Sequence, residues 1–587
     1  MLYKKSLGLL TVLTVMRRRK TMLDRQTGEL TGYPSVDKPW LKYYSEEAIN
    51  AKLPECTIYE YMYKNNKDYP RDIAINYMGH KITYWEFFEN IDKTAAAFLK
   101  AGVKEKEIVT VALPSIPEAI YCVYALNKIG AVANMIHPKA GKEETLFYFN
   151  EVKSRIAVIF DGAYDAIAND IEKTSVKKVI VASPGDLLPF PLRVAYTLKI
   201  RKTKLDGIVF QSWKGFIKAG TGTEVKAVNK NCHEMAVISH TGGTTGTPKG
   251  VMCSDENINS LIYQIGVISH KRQEHCLVVL PPFVNYSLVD GMLAPIALGI
   301  DAILIPDYKP NQFVQYLKRY KPNIISSIPA YWEALLSIEN ARNADYSCLS
   351  HIFSGGEAMN IETLNTINEI LMNGGAKSRI SSGLGCTEIV SAASFTHEDC
   401  YVPGSAGLPM PWVNCRIVEP DTKEELSYNE DGEICFSGLS LMLGYYMNSS
   451  ETNKVIKFHK DGTRWLHTGD LGHIDENGVI FVTGRIKRII MTKGLDGQVT
   501  KMFPDRIEKA LYSDSSVELC CVIGIPDENR INYPQAIIVL KDGIEKSENI
   551  KQAILDKCKE MLPGYMVPKV IEFRDDLPRT PRGKVDY

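Results

Sequence analysis

The chain has 587 residues, more than one hydrophobic core organises, so two or more packed units are expected. Its 45% hydrophobic and 24% charged content are ordinary globular values, and 69 basic residues balance 69 acidic ones. No whole-molecule basic field is available to attract nucleic acid, and the 13 scattered cysteines include no C-x-x-C pair, which reads as a reduced, cytoplasmic protein without a zinc site.

In chain order, residues 7–16 (LGLLTVLTVM) are apolar and are followed by Arg17, Arg18, Arg19 and Lys20. Ten residues are too few to cross a bilayer as a helix, and the charge lies on the wrong side for a secretory signal. The reading adopted here starts the protein at Met22, with a weak peripheral membrane contact through this stretch as the alternative. Residues 1–44 are taken as an N-terminal tail. From residue 84 onward helical and buried-strand patterns alternate. Residues 84–103 have helical periodicity with a glycine stop, 108–114 read as a strand, 117–130 as a helix and 131–138 as a strand. The rhythm recurs at 276–283, 301–306, 323–329 and 351–356, and argues for layered α/β architecture with largely parallel sheets. The pattern fades over 183–222, which is read as a surface insertion. Beyond about residue 484, two strand-like runs, a helix (548–562) and a further strand (569–578) suggest a compact α+β unit, with the boundary at residues 485–487. The domain limits are therefore 45–486 and 487–587.

Residues 239–251 read SHTGGTTGTPKGV, and a strand-like run, 234–239, leads straight in. Glycines let successive backbone N–H groups converge on one anion. Thr241, Thr244, Thr245 and Thr247 add hydroxyls, and Lys249 adds a charge. A Walker A loop places lysine directly after glycine; here the order is Gly246, Thr247, Pro248, Lys249, and no G-x-G-x-x-G occurs. A surface linker would share the composition, but not the strand before it or the Pro-Lys-Gly exit. The loop points to phosphate without naming its owner.

TGGTTGTPKGV closely resembles the signature loop of the adenylate-forming (AMP-binding) enzymes, which include acyl-CoA synthetases, peptide-adenylation domains and beetle luciferases. Further motifs follow in that family's order: SGGEAM (354–359), GLGCTE (383–388), HTGDLGHID (467–475), GRIKRII (484–490) and LPRTPRGKVD (577–586). The resemblance runs from residue 239 to 586 and implies a large, multi-subdomain N-terminal α/β domain of the acyl-CoA synthetase type with a small, mobile C-terminal α+β domain. It implies ATP binding by Thr241, Gly242, Gly243, Thr244, Thr245, Gly246, Thr247 and Lys249 around the β and γ phosphates, with Thr245 also catalytic. Gly356, Glu357, Gly383, Leu384 and Gly385 would line the nucleotide, and Thr387 would contact phosphate. Glu388 would hold Mg²⁺, Asp470 and Arg485 the ribose, and Lys487 would be the hinge. Lys584 would act at the reacting α-phosphate. Val284, Asn285, Gly355 and Gly383 would shape the acyl pocket.

Departures from the pattern are as informative. Leu384 stands where an aromatic usually stacks on adenine, Val284 or Asn285 replaces a customary histidine, and Arg506 replaces a glutamate after the hinge. Val284 also follows Phe283 where amino-acid-activating domains place an aspartate, which favours a plain carboxylic acid. Glycines 355, 356, 383 and 385 suggest open space near the carboxylate, or backbone turns. The resemblance thus implies an acid–CoA ligase using ATP, Mg²⁺ and coenzyme A on a small-molecule acid, fatty or otherwise. A stand-alone enzyme loading a carrier protein and a non-catalytic nucleotide-binding relative are the alternatives. A monomer or homodimer in the cytoplasm, with no integral membrane span, is expected.

Overall fold

The computed structural model describes residues 30–199, 205, 209–241, 248–267, 271–488, 490–493, 499–526 and 532–578. Among these, two large sheets carry the α/β part. One runs, in spatial order, through strands Gly444–Tyr445, Gly250–Ser254, Met235–His240, Val132–Met135, Ile108–Ala112, Ile156–Phe160, Lys178–Ala182 and Phe210–Ser212. Its strands pair in parallel from Met235–His240 outward to Phe210–Ser212, while Gly250–Ser254 turns back antiparallel. The second has seven strands, Ile380–Ser382, His351–Ser354, Ile324–Ser327, His275–Val278, Asp301–Leu304, Ile73–Tyr77 and His80–Thr83, parallel except for the last pair.

The parallel strands are uniformly apolar because both of their faces are covered: every residue of Ile108–Ala112 and of Val132–Met135 is buried. Helix Tyr84–Lys100 starts at a capping box in which Thr83 and Glu86 satisfy each other's backbone N–H groups. Helix Pro117–Lys128 starts on a proline whose missing N–H costs nothing there, and all of its residues are buried. It packs between helices Tyr84–Lys100 and Ile58–Asn66 and strand Val132–Met135. The expected strands and helices are present, usually a few residues shorter than the apolar runs that announce them.

Two sequence readings are corrected. The supposed surface insertion completes a sheet: Phe210–Ser212 pairs in parallel with Lys178–Ala182, and Phe216 of the next helix meets Phe98 edge-on at 5.1 Å. A three-residue strand is too short to show a period in sequence. The packed body also begins before residue 45. Trp40 is fully buried against the turn at Gly478, Ser35 Oγ donates to Glu425 at 2.9 Å, and Tyr44 donates to the Pro409 carbonyl.

An antiparallel sheet of Val413–Val418, Gly432–Gly438, Arg464–Ile474, Ile456–Phe458 and Ile480–Arg485 follows. The C-terminal unit is α+β as expected. Val517–Pro526 and Asn532–Leu540 pair antiparallel, Val570–Arg574 adds in parallel, and helices Pro504–Tyr512 and Glu548–Met561 contribute to a core of their own. No helix among the described residues is long and apolar enough to cross a membrane.

Candidate active site

Strand Met235–His240 delivers the chain to the glycine-rich loop, as the sequence suggests, and Gly250–Ser254 receives it on the other side as a hairpin partner. The loop is clasped at its base: Thr241 N–H donates to the Lys249 carbonyl at 3.0 Å, and Lys249 N–H to Thr241 Oγ1 at 3.3 Å. Gly242, Gly243, Thr244, Thr245, Gly246 and Thr247 lie outside the described residues. Lys249 Nζ pairs with Glu451 and stands 5.0 Å over the Tyr445 ring. That ammonium and the one of Lys454 hold the Glu451 carboxyl down at about 2. Tyr445 is the cross-strand partner of Val251, and its hydroxyl donates to Glu388 Oε1 at 2.6 Å. Burial, then the Glu388 charge, push that hydroxyl above the ordinary tyrosine range, so it remains a donor. Tyr445 therefore joins the phosphate-loop lysine to the carboxylate expected to hold metal.

The 383–394 segment doubles back tightly. Gly385 bridges Ala392, the Leu384 carbonyl accepts from the N–H groups of Ala393 and Ser394, and Leu384 N–H donates to Ser394 Oγ at 3.1 Å. A Cβ on Gly385 would lie 1.8 Å from the Ser391 carbonyl oxygen, and one on Gly383 2.3 Å from that of Ser394. These glycines serve close backbone packing, so the open-space reading is withdrawn for them. Gly356 needs its φ of +89°, and a Cβ on Gly355 would meet the Tyr286 ring at 3.3 Å. Leu384 packs on the main core. Thr387 and Glu388 sit on a 3₁₀ turn, followed by Val390 at φ +66°, a conformation costly for a β-branched residue and of the kind that collects at functional sites. Burial, followed by the charges of Glu388 and Asp470, raises the Cys386 thiol far above its usual range, which leaves it inert.

Asp470 sits opposite Arg485 in the antiparallel sheet, with Arg485 Nε 2.8 Å from its Oδ1. Its turn is held from below. Gly469, at φ +73°, donates its N–H to Glu433 Oε1 at 3.2 Å, and Asp470 N–H donates to Thr468 Oγ1 at 3.0 Å. Glu433, Cys435 and His467 are close enough to share a metal, the one such group among the described residues. Hydrogen bonding accounts for them instead. Arg416 can only donate, so His459 Nδ1 accepts it at 2.9 Å and His459 Nε2 carries the proton. That proton goes to His467 Nε2 at 3.0 Å, and His467 Nδ1–H then donates to Glu433 at 2.7 Å. The directed chain Arg416, His459, His467, Glu433, Gly469 fixes the turn that presents Asp470.

On the acyl side, the chain runs through Tyr286–Leu293 as a π-helix, a rare wide helix frequent at functional sites. Asn285, just before it, is buried, accepts from Ser239 Oγ and donates to Cys253 Sγ at 3.7 Å, so its amide secures the start of the phosphate loop. Val284 is 36% exposed, and the Phe283 ring lies 4.4 Å from that of His137. Gly356 and Glu357 follow the C-terminal end of strand His351–Ser354, the end of a parallel sheet where ligands gather. Lys487 lies on the 3₁₀ turn Ile486–Arg488 after the last strand of the antiparallel sheet. Lys584 lies outside the described residues.

With this geometry in view, comparison with known proteins decides the family. Residues 62–446 match the AMP-binding enzyme family and residues 506–584 its C-terminal domain. The chain is an AMP-binding enzyme. It is 28% identical over 561 residues to the long-chain-fatty-acid–CoA ligase of Bacillus subtilis (strain 168), covering 93% of this chain and 96% of that one. It is 27% identical over 535 residues to a probable 4-coumarate–CoA ligase 1 of Dictyostelium discoideum, covering 89% and 92%. An anthranilate CoA ligase, AuaEII, with anthranoyl-AMP bound superposes with a TM-score of 0.77 at 20% identity over 92% of this chain and 97% of that one. ATP-bound MatB from Rhodopseudomonas palustris gives 0.77 at 22% identity over 91% and 97%. At those identities the structures speak for the fold.

Sequence reasoning missed two residues that touch the phosphate-loop lysine, Tyr445 and Glu451, the first of which also donates to Glu388. Neither sits in a motif the sequence singles out, and each is placed by contacts from distant segments, which leave no mark on local pattern.

Proposed function

We propose that this AMP-binding enzyme is an acid–CoA ligase. A substrate carboxylate oxygen attacks the α-phosphorus of ATP and pyrophosphate leaves. The CoA thiolate then attacks the acyl carbon, and AMP leaves as the thioester forms. The observation that carries this reading is the convergence of the phosphate-loop base, Lys249, Tyr445 and Glu388 beside the turn that presents Asp470. The match to acid–CoA ligases along nearly their whole length supports it.

In this reading the loop 241–250 takes the β and γ phosphates, and polyphosphate competes with Glu451 for Lys249. Glu388 suits Mg²⁺: a half-buried carboxylate with hard oxygen donors, fixed by Tyr445, next to a polyphosphate that supplies the other oxygens. When bound, the ion neutralises charge on the leaving pyrophosphate. Asp470 accepts from the ribose hydroxyls with Arg485 beside it. Lys584 brings its ammonium to the α-phosphate, and Lys487 lets the C-terminal unit turn between the two steps. The substrate is a carboxylic acid other than an α-amino acid. The test is AMP release over short, medium, long-chain and aromatic acids, with and without CoA. CoA-dependent AMP release is expected with at least one acid. Acid-dependent ATP–pyrophosphate exchange without CoA-dependent AMP release would replace CoA with a carrier protein.

A further inference from the structure

One helix carries an apolar face that nothing among the described residues covers. Phe190–Lys199 precedes Phe210–Ser212, the edge strand of the first large sheet. Phe190, Val194 and Leu198 recur at every fourth position, so they line one side of this helix. They are 80%, 43% and 83% exposed, and Phe190 and Leu198 are two of the three most exposed large apolar side chains among the described residues. Apolar residues exposed singly are ordinary on a protein surface, whereas a continuous ridge of them marks an interaction site.

The opposite face fixes which way the ridge points. Leu192 and Tyr196 are half-buried, and Tyr196 donates its hydroxyl to Asp161 Oδ1 at 2.6 Å while its ring lies against Gly185. Asp161 Oδ2 accepts from Ser183 Oγ at 2.6 Å, and Leu187 and Leu188, just before the helix, pack on the main core. At about 100° per residue, the Leu192–Tyr196 line falls about 180° from the centre of the ridge. The helix is therefore held by one side and presents apolar surface with the other. A rotation that hid the ridge would pull Tyr196 away from Asp161.

Charge says what the ridge meets. Between Asp186 and Asp206 the sequence carries Arg193, Lys199, Arg201, Lys202 and Lys204 and no acidic residue. Arg193 is exposed, whereas Asp186 is engaged by Lys214 and Asp161 by Ser183 and Tyr196. A second copy packed symmetrically on this face would set the same positive charges against each other. A negatively charged bilayer answers both features, since the apolar side chains enter its acyl boundary and the basic ones are drawn to its phosphates. Ten residues are too few to span a bilayer, so such a helix lies in the plane of its surface.

We propose that the helix Phe190–Lys199 is a membrane-docking surface, on which Phe190, Val194 and Leu198 insert into the headgroup boundary of an anionic bilayer and the basic residues of the same stretch supply the attraction to it. The proposal is independent of the acid–CoA ligase reading. The experiment is co-sedimentation of the full-length protein with vesicles of phosphatidylcholine alone and of phosphatidylcholine mixed with phosphatidylglycerol. It compares the wild type with Arg193→Glu and with the double variant Phe190→Ser, Leu198→Ser, thermal unfolding confirming that each is folded. The wild type should bind the phosphatidylglycerol vesicles more tightly than the neutral ones, and added salt should weaken that binding. The double variant should bind about tenfold or more weakly, the scale for withdrawing two large apolar side chains from lipid, and Arg193→Glu about fivefold or more weakly. Failure to bind either vesicle overturns the assignment. So does binding that the double variant leaves unchanged, which would place the contact on the apolar stretch 7–16. A dimer that the double variant dissociates, without vesicle binding in the wild type, gives the ridge to a second copy and also overturns it.

Discussion

Glu388 accepts from the hydroxyl of Tyr445, whose ring also lies beneath the phosphate-loop lysine, so the carboxylate and its support can be tested apart. Glu388→Gln should lower acid-dependent ATP–pyrophosphate exchange by about 10²–10³-fold, the scale for losing one charge-stabilising group at a reacting centre. Tyr445→Phe should lower it by only about tenfold, since the carboxylate survives and loses one hydrogen bond. Equal losses in the two variants would contradict the assignment of the primary role to Glu388. Asp290 makes a different expectation, on stability. Its folded carboxyl near 8 lies above the ordinary value of about 3.9. Its protonated form is the one the fold favours, so its contribution is fullest below the ordinary carboxyl range and is lost as pH rises through about 8. Ser391, Tyr286 and Cys276 are the groups that face it, and none of them is a cation. Asp290→Asn should therefore flatten the fall in unfolding temperature toward alkaline pH, as thermal scans across that window would show. At this scale the motifs single out Glu388 and Asp470 but not the side chains that touch them. Glu388 and Asp470 stand in recognisable strings, whereas Tyr445 and Glu451 meet Glu388 and Lys249 from more than 50 residues away, and nothing local marks them.

The antiparallel sheet that carries Asp470 is locked by a hydrogen-bond chain that needs both histidines neutral. Burial first, then the neighbouring His467 ring and Arg416 guanidinium, which disfavour a second proton there, push His459 down to about 4. The fold favours its neutral form, so this contribution is present above the ordinary histidine value of about 6.5 and is lost as pH falls through about 4. His459→Gln, which can still accept from Arg416 and donate to His467, should remove that part of the acid sensitivity in thermal scans. An unchanged acid limb would place it elsewhere. The 383–394 turn is limited by space instead. Gly385→Ala pushes a methyl into the Ser391 carbonyl oxygen and should cost about 1–3 kcal/mol of stability together with most adenylation activity. Elements of this kind mark the limit of sequence reading. The strand before the phosphate loop and the long apolar helices were legible from their periods. The edge strand Phe210–Ser212 was too short, and the π-helix Tyr286–Leu293 follows neither the 3.6- nor the 2-residue period. Four pocket glycines suggested room, while two of them prove to be pressed against backbone, a distinction that needs the neighbouring chain.

For the whole molecule, alternating strands and helices announced the parallel sheets, and the change of pattern near residue 485 announced the smaller α+β unit. What joins the two is short: the 3₁₀ turn Ile486–Arg488, with Arg488 paired to Asp505 and Glu508 on the first helix of the C-terminal unit, and Asp505 close against Gly484. Arg506, which stands where the family usually has a glutamate, is exposed beside them. In the mechanism proposed above, Lys584, far along the chain, reaches the α-phosphate for the first step and withdraws for the second. Acid-dependent ATP–pyrophosphate exchange, compared between the wild type and Lys584→Ala, tests this most directly. The expected result is exchange in the wild type that needs an acid but not CoA, reduced by about 10²–10³-fold in the variant. Absence of exchange with every acid, or exchange that Lys584→Ala leaves unchanged, would contradict it.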